Sequence, residues 1–306
     1  MKKVVYTPDL SREEWLEYRK KGIGGSDAAA IAGLNPWKSA VGVYLDKKGE
    51  VKLLEDNERM RIGRDLEDYV AKRFEEATGL KVRRNNFMLA HHEHDFLVAN
   101  IDREIVGKQI GLECKTTNSY AKKDWEEDIP THYEIQCHHY MMVTGYQGWY
   151  IAVLIGNEKF EYKYIPRDEE IIKYLKKIEV EFWKNNVLAD NPPAPDGSDD
   201  ADMIIRNKFP KATLDVEIEL QEFKGDIDRL DTIKSLQDEL KTEEKEIKQK
   251  IQMQMGEAEK AVCGDRVITW KNYSSSRIDT KKLKEIYPDI AEDLTRTTNS
   301  RRFLIK

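Results

Sequence analysis

Cysteine is scarce in this chain. Its three residues, Cys114, Cys137 and Cys263, are scattered, odd in number and without C-x-x-C spacing. That argues against a zinc ribbon, leaves too few thiolates for an all-cysteine iron–sulfur cluster, and fits a reducing cytoplasm. Long apolar runs are also missing. No stretch approaches the roughly 18 residues that mark a membrane span. The opening MKKVVYTPDLSREEW has two lysines but no apolar segment of signal-peptide length, so a soluble chain is expected. No excess of positive charge announces a nucleic-acid binder, because the formal net charge is −6. That total excludes little: a local basic lining or a metal centre can offset phosphate charge. No internal repeat is evident.

What is present is a 306-residue chain, 40% hydrophobic and 35% charged, long enough for a sizeable core. Its first 190 residues read as a mixed α/β unit. Ser11 to Lys21 is a helix opened by a capping box, Ser11 with Glu14. GIGGSDAAAIAG follows, a glycine-rich turn with Ser26 and Asp27 as candidate caps of a small-residue helix ending at Gly33. Ala40 to Lys48 and Glu55 to Thr78 are further helices, the second carrying Met60, Ile62, Leu66, Val70 and Phe74 at helical spacing. Strands are expected around 80–90, 95–102 and 109–117, a helix over Tyr133 to Val143, paired strands over 147–155 and 159–165, and a helix from Asp168 to Asn185.

NPPAPDGSDD (191–200) reads as a boundary. The expected division is a domain over 1–192, a linker over 193–214, a helical arm over 215–261 and a small basic α+β module over 262–306. Residues 217–261 carry a net charge of −5 and residues 262–306 a net charge of +4. The arm's apolar stripe drifts from strict heptads, which favours a packed helix over a long coiled coil. One or two strands over Arg266 to Tyr273 and a short helix over Thr280 to Ile286 precede the basic NSRRFLIK terminus.

The chemistry is concentrated in FLVANIDREIVGKQIGLECKTT, two apolar-alternating runs joined by a short Gly-containing connection. Alternation puts Glu113 and Lys115 on one strand face and Cys114 on the other. Asp102 comes from the neighbouring strand. Two carboxylates and the Cys114 backbone carbonyl make an oxygen ligand set for Mg²⁺ or Mn²⁺. Lys115 would orient or help deprotonate a water and stabilise charge on a phosphate. Glu67, on the long helix, can be aimed at the same metals. Gln136 and Tyr140 share a helix face, where Gln136 could fix the water or a phosphate oxygen. Ser26 in the glycine turn and Arg19 on the preceding helix could grip a phosphate. Trp37 and Trp125 could stack on bases, although core packing is the default for tryptophan. His138 and His139 read as helix packing or groove contacts, and the HHEH cluster at 91–94 as a surface turn rather than a zinc site.

The order R-x(6)-S across the glycine turn, then GRDLE, D-x(10)-E-C-K and Q-x(3)-Y resembles the YqaJ-like phage recombinase nucleases. These are grouped with lambda exonuclease in the PD-(D/E)xK, restriction-endonuclease-like superfamily. The resemblance covers about residues 10–190. It implies a central mixed sheet flanked by helices and a Mg²⁺-dependent, processive 5′→3′ exonuclease. Such an enzyme digests one strand of duplex DNA and leaves a 3′ overhang for a single-strand annealing recombinase. Two ions per site are implied, with Mn²⁺ able to substitute. By position, Asp102 and Glu113 match the metal ligands, Lys115 the catalytic lysine, Glu67 the helix glutamate near the second ion and Gln136 the helix glutamine. Arg19 and Ser26 match the pair that binds the 5′-phosphate. Asn100 stands where a relative has a further phosphate-binding serine, and can also donate. Ile101 replaces the proline of the superfamily name. Some relatives form ring-shaped trimers. The resemblance also implies a bacterial cytoplasm and a phage or prophage origin. Two alternatives stay open: an endonuclease or structure-specific nuclease on the same fold, and a non-catalytic DNA-binding or partner-docking protein working through its helical arm.

Overall fold

The structure, a computed structural model, describes residues 1–50, 57–126, 128–213, 216–298 and 300–305. Residues 1–209 and 210–306 form two compact units. In the first, helices α1 (Arg12–Lys20), α2 (Gly25–Ile31), α3 (Ala40–Lys48) and α4 (Glu58–Thr78) follow strand β1 (Lys2–Tyr6). Strands β2 (Val82–Arg84), β3 (Phe87–Ala90), β4 (Val98–Ala99), β5 (Arg103–Ile105) and β6 (Ile110–Thr117) come next. Then come α5 (Lys123–Glu126), α6 (Thr131–Thr144), β7 (Gly148–Ile155), β8 (Lys159–Pro166), α7 (Glu169–Phe182) and α8 (Asp199–Lys208).

The main sheet has the order β2-β5-β6-β7-β8. It is mixed because β6 and β7 run parallel while the other neighbours are antiparallel. Parallel neighbours need a crossover, and here α5 and α6 supply it. A smaller antiparallel sheet, β1-β3-β4, stands apart. Helix α6 packs between the two sheets, its Cys137, Met141 and Val143 joining Leu89 and Ala99 to Trp149, Ile151 and Val153 in one core. Helix α4 covers the opposite face of the main sheet, where Val70, Ala71 and Phe74 meet Ile105, Leu112 and Ala152. The architecture is therefore the mixed α/β sheet flanked by helices that the sequence implies.

Local signals explain most element ends. Ser11 and Glu14 close the capping box on α1, and Asn57 caps α4, which ends at Gly79 with φ of 71°. The turn between β5 and β6 passes through Gly107 at φ of 77°, a conformation that favours glycine. Gly111, at the start of the E-C-K strand, lies under the indole of Trp149; a Cβ there would come within 2.3 Å of the ring.

Several expectations need correction. Gly24, not Ser26 or Asp27, occupies the N-cap of α2, and Asp27 reaches back to it from the third helical position. Met60 and Ile62 are exposed, since only the later turns of α4 bury side chains on the sheet. Residues 55 and 56, the expected start of that helix, lie outside the described residues. The stretch expected as linker holds α8, whose Asp200 carboxylate accepts from the Ser39 backbone N–H at 2.8 Å and hydroxyl at 2.7 Å. The first unit therefore runs to Phe209 rather than stopping at the prolines.

In the second unit the arm is α9 (Lys224–Met255), preceded by a single 3₁₀ turn over Gln221–Phe223. Residues 216–220 have no regular structure and 215 lies outside the described residues, so the helix is shorter than its charge pattern suggests. Strands β9 (Lys260–Cys263) and β10 (Arg266–Thr269) form a hairpin, followed by α10 (Thr280–Ile286) and α11 (Pro288–Asp293). Among the described residues no helix is long and apolar enough to cross a membrane.

Candidate active site

Strand β6 presents Glu113 and Lys115 to α6, while Cys114 packs with the core under α4. The Lys115 ammonium donates to Glu113 Oε1 at 2.5 Å and to Gln136 Oε1 at 3.2 Å. Gln136 in turn donates from Nε2 to Glu113 Oε1 and to the Tyr140 hydroxyl, both at 2.8 Å. Gln136 is buried rather than a solvated helix residue. Burial disfavours the Lys115 charge, but Glu113 and Asp102 outweigh it and hold the ammonium above its ordinary pKa. Lys115 is thus a fixed cation in the metal-free protein.

Glu113 is 3% exposed, and its other oxygen, Oε2, is buried with no hydrogen-bond partner. An unpaired carboxylate oxygen inside a protein is costly. Asp102 closes the same site from the loop before β5, accepting from the Cys114 N–H at 2.8 Å through Oδ2. On a strand, one residue's N–H and C=O point to the same side, so the Cys114 carbonyl also faces Asp102. Burial and then the charges of Glu113 and Glu67 push the Asp102 carboxyl well above the usual carboxylate range. Carboxylates crowded against one another, one with an orphaned oxygen, fit a divalent cation with oxygen ligands.

Glu67 and Asp102 line one cleft of about 170 Å³, together with Asn100, Arg84, Asn85, Trp15 and other residues. Arg103 organises this side. Its guanidinium is 4% exposed and donates to Glu67 Oε1 and Asp68 Oδ1 at 2.5 Å each, and to the Asp102 carbonyl at 2.6 Å. Sequence reasoning missed Arg103. The available signal was an arginine in a buried strand facing the acids of GRDLED, but the partners lie 35 and 36 residues away.

The glycine turn sits directly against this network. A Cβ on Gly25 would lie 2.6 Å from Tyr140 Cε1 and 2.9 Å from Gln136 Cγ. The next residue, Ser26, is exposed, and its hydroxyl accepts from the Arg19 guanidinium at 2.9 Å. Arg19 also lies 5.0 Å from the ring centroid of Trp15, which links it to the cleft. Behind the turn, Asp27 is fully buried; it accepts from Lys47 at 2.6 Å, Lys38 at 3.0 Å and the Gly24 N–H at 3.2 Å. Its burial would raise its pKa, yet Lys38, Lys47 and Arg19 prevail and hold it well below the usual range.

Of the remaining candidates, Trp37 is 67% exposed whereas Trp125 is buried. His138 and His139 are both buried, which rules out a groove contact for either. His139 donates from Nε2 to the Val98 carbonyl at 2.9 Å and its Nδ1 shares a 2.9 Å hydrogen bond with Glu179, so it is a packed core residue. His91, His92 and Glu93 have ligand atoms within 4.8 Å of one another. However, His91 Nδ1 accepts from the Glu93 N–H, which leaves the proton on Nε2, and Lys176 pairs with Glu93. That arrangement fits a surface turn better than a metal site.

Residues 14–147 match the YqaJ-like viral recombinase domain. The chain is also 44% identical over 303 residues to the YqaJ protein of Bacillus subtilis, covering 97% of this chain and 95% of that one. The chain belongs to the YqaJ-like viral recombinase family. Among solved structures, an alkaline exonuclease from Laribacter hongkongensis is 18% identical, with a TM-score of 0.49; the match covers 65% of this chain and all of that one. A phage-related exonuclease from Haemophilus somnus is 16% identical with a TM-score of 0.46, covering 55% of this chain and 96% of that one. The motifs of this YqaJ-family chain fall largely within its matched segment: Arg19, Ser26, Glu67, Asp102, Glu113, Lys115, Gln136 and Tyr140 all lie between residues 14 and 147.

Proposed function

We propose that this chain is a metal-dependent nuclease, and more narrowly a 5′→3′ exonuclease that digests one strand of linear double-stranded DNA to leave 3′ overhangs. The observation that carries the reading is the junction of Asp102, Glu113 and Lys115, with Glu113 Oε2 buried and unpaired. Asp102, Glu113 and the Cys114 carbonyl would hold Mg²⁺ or Mn²⁺, and Glu67 would serve a second ion. Bound there, a divalent ion supplies Lewis-acid charge and lowers the pKa of water.

The chain's own residues do the rest. Lys115 sets a fixed positive charge beside Glu113, where charge builds on the scissile phosphate. Gln136 locks Glu113 and Lys115 in one geometry, with Tyr140 fixing the far side of its amide. Arg19 and Ser26 bind the terminal 5′-phosphate, with Asn100 offering a further donor in the cleft. Their contiguity with Gln136 through Gly25 supports end-directed action. In the same reading the first unit, residues 1–209, is the exonuclease domain, the 3′ strand passes to a single-strand annealing recombinase, and a ring-shaped homotrimer accounts for processivity. The setting is the cytoplasm of a bacterial host carrying a phage or prophage.

The test is digestion of linear duplex bearing a 5′-phosphate or a 5′-hydroxyl on a labelled strand, with Mg²⁺ or EDTA, beside a closed circle. Metal-dependent loss from phosphorylated 5′ ends with the circle spared supports the exonuclease. Cutting of the circle makes the protein an endonuclease, and no cutting at all overturns the enzyme reading.

A further inference from the structure

The segment Asn35-Pro36-Trp37-Lys38 contacts the buried side of the glycine turn through Lys38 and the aromatic residues beside Lys115 through Trp37. Asn35 Oδ1 accepts from the backbone N–H of Trp37 at 2.8 Å and of Lys38 at 3.1 Å, which fixes the turn as an Asx turn. Lys38 points back to the glycine turn, where its ammonium meets Asp27, the neighbour of Ser26. Trp37 points the other way. Its ring stands edge to face with His132, centroids 4.8 Å apart at 84°. His132 lies 4.0 Å from the Tyr133 ring, and the Lys115 ammonium sits 4.7 Å from the Tyr133 centroid. An aromatic path therefore runs from an exposed indole to the candidate catalytic lysine.

A perpendicular pair covers at most one face of each ring, and Trp37 remains 67% exposed. Trp125, the other tryptophan on this path, is 3% exposed and stacks on Tyr133 within the core. Burial accounts for Trp125 and not for Trp37. A large apolar face held by a rigid turn and joined through His132 and Tyr133 to the candidate phosphodiester site suits the flat face of a nucleobase.

We propose that Trp37 is a stacking platform for an unpaired nucleobase near the 5′ end of the strand being digested, with His132 as the residue that fixes its orientation. The inference rests on the exonuclease reading, and it adds a specific contact. Stacking on an indole tolerates any base, as digestion of arbitrary sequence requires. It also gives the terminal nucleotide a reason to leave its pair before the cut.

The experiment pairs the residue with the base. Wild type, W37A and W37F are compared on 5′-phosphorylated duplexes carrying an abasic residue at the first, second or third nucleotide, or none. W37A is expected to raise KM roughly tenfold on normal DNA while kcat changes less, with W37F recovering most of the loss. At one abasic position wild type should show the same loss, and W37A no further loss there. Equal losses at every abasic position, or no effect of W37A, would overturn the platform. Binding of the same duplexes in Ca²⁺, read by fluorescence anisotropy, separates the two levels. Base-specific coupling without any cleavage keeps the platform and removes the exonuclease; cleavage without coupling does the reverse. Absence of both removes both.

Discussion

Two aspartates in the first unit sit in opposite electrostatic settings. Asp27, behind the glycine turn, is surrounded by Lys38, Lys47 and Arg19 and is held well below the usual carboxylate range. Asp102, at the sheet, is held well above it by burial and then by the charges of Glu113 and Glu67. One region carries its counter-charges in its own sequence. The other is short of positive charge even with Lys115 and Arg103 present. A buried carboxylate that is already neutralised belongs to the scaffold, whereas one left in like-charged company has the chemistry of a cation ligand. The sign follows for stability as well. The contribution of Asp27, with its depressed pKa, is present above its unfolded value and lost as pH falls through the folded one. Asp102, with a raised pKa, weakens the metal-free fold as pH rises through the carboxylate range.

The contrast is broken most strongly by neutralising each aspartate. Asp102→Asn should lower metal-dependent hydrolysis by about a thousandfold or more while leaving the metal-free melting temperature equal or higher. Asp27→Asn should do the reverse in stability, costing on the order of 3–5 kcal/mol because two ammonium groups lose their shared partner; a denaturant melt reads it. If Asp102→Asn destabilises the metal-free protein as much as Asp27→Asn does, the distinction fails. Adding Mg²⁺ or Ca²⁺ should raise the melting temperature of wild type and not of Asp102→Asn, since only a ligand of the native state stabilises it.

Gly25→Ala probes the junction between the two regions. A methyl group there must displace Tyr140 or Gln136, and roughly ten- to a hundredfold of kcat should be lost with a smaller change in stability. The buried His139–Glu179 pair gives a pH-dependent case. Burial would lower the His139 pKa, but Glu179 and the Val98 carbonyl raise it overall. Its contribution is therefore full below its unfolded pKa and fades as pH rises through the folded value. Burial raises the Glu179 pKa as well, so the stability gap between wild type and the double variant His139→Gln/Glu179→Gln should narrow from pH 6 to 9, and a constant gap would refute the pair. Smallest of all, Asp238→Ala on α9 removes an exposed i,i+3 pair with Lys241 and should shift stability by no more than ~0.5 kcal/mol.

How far the sequence speaks depends on how local the message is. Asp102, Glu113 and Lys115 were readable because a hairpin and a two-residue period bring them together within fourteen positions. Gln136 and Tyr140 were readable as a helix face. The role of Arg103 was not, because its carboxylate partners sit on α4, far away in the chain. Lys47 was missed for the same reason: it looks like a surface lysine of α3 until Asp27 is packed over it. Helix α8 was hidden by the prolines before it, and it is fixed by Asp200 reaching Ser39 across 161 residues. Met60 and Ile62 had helical periodicity, but periodicity alone does not say how far the sheet extends beneath a helix.

Strand β6 runs in continuous register with β7 from Ile110 to Thr117, and that imposes a parity on descent. Inserting or deleting a single residue between Ile110 and Glu113, with the Ile110–Gly148 pairing kept, would turn the thiol of Cys114 toward α6 and send both charged groups under α4. A change of two residues would restore the faces. Lineages that vary the length of this hairpin should therefore do so in even steps, or accommodate an odd residue as a bulge outside the β6–β7 ladder, and comparison of many related chains would show that arithmetic directly.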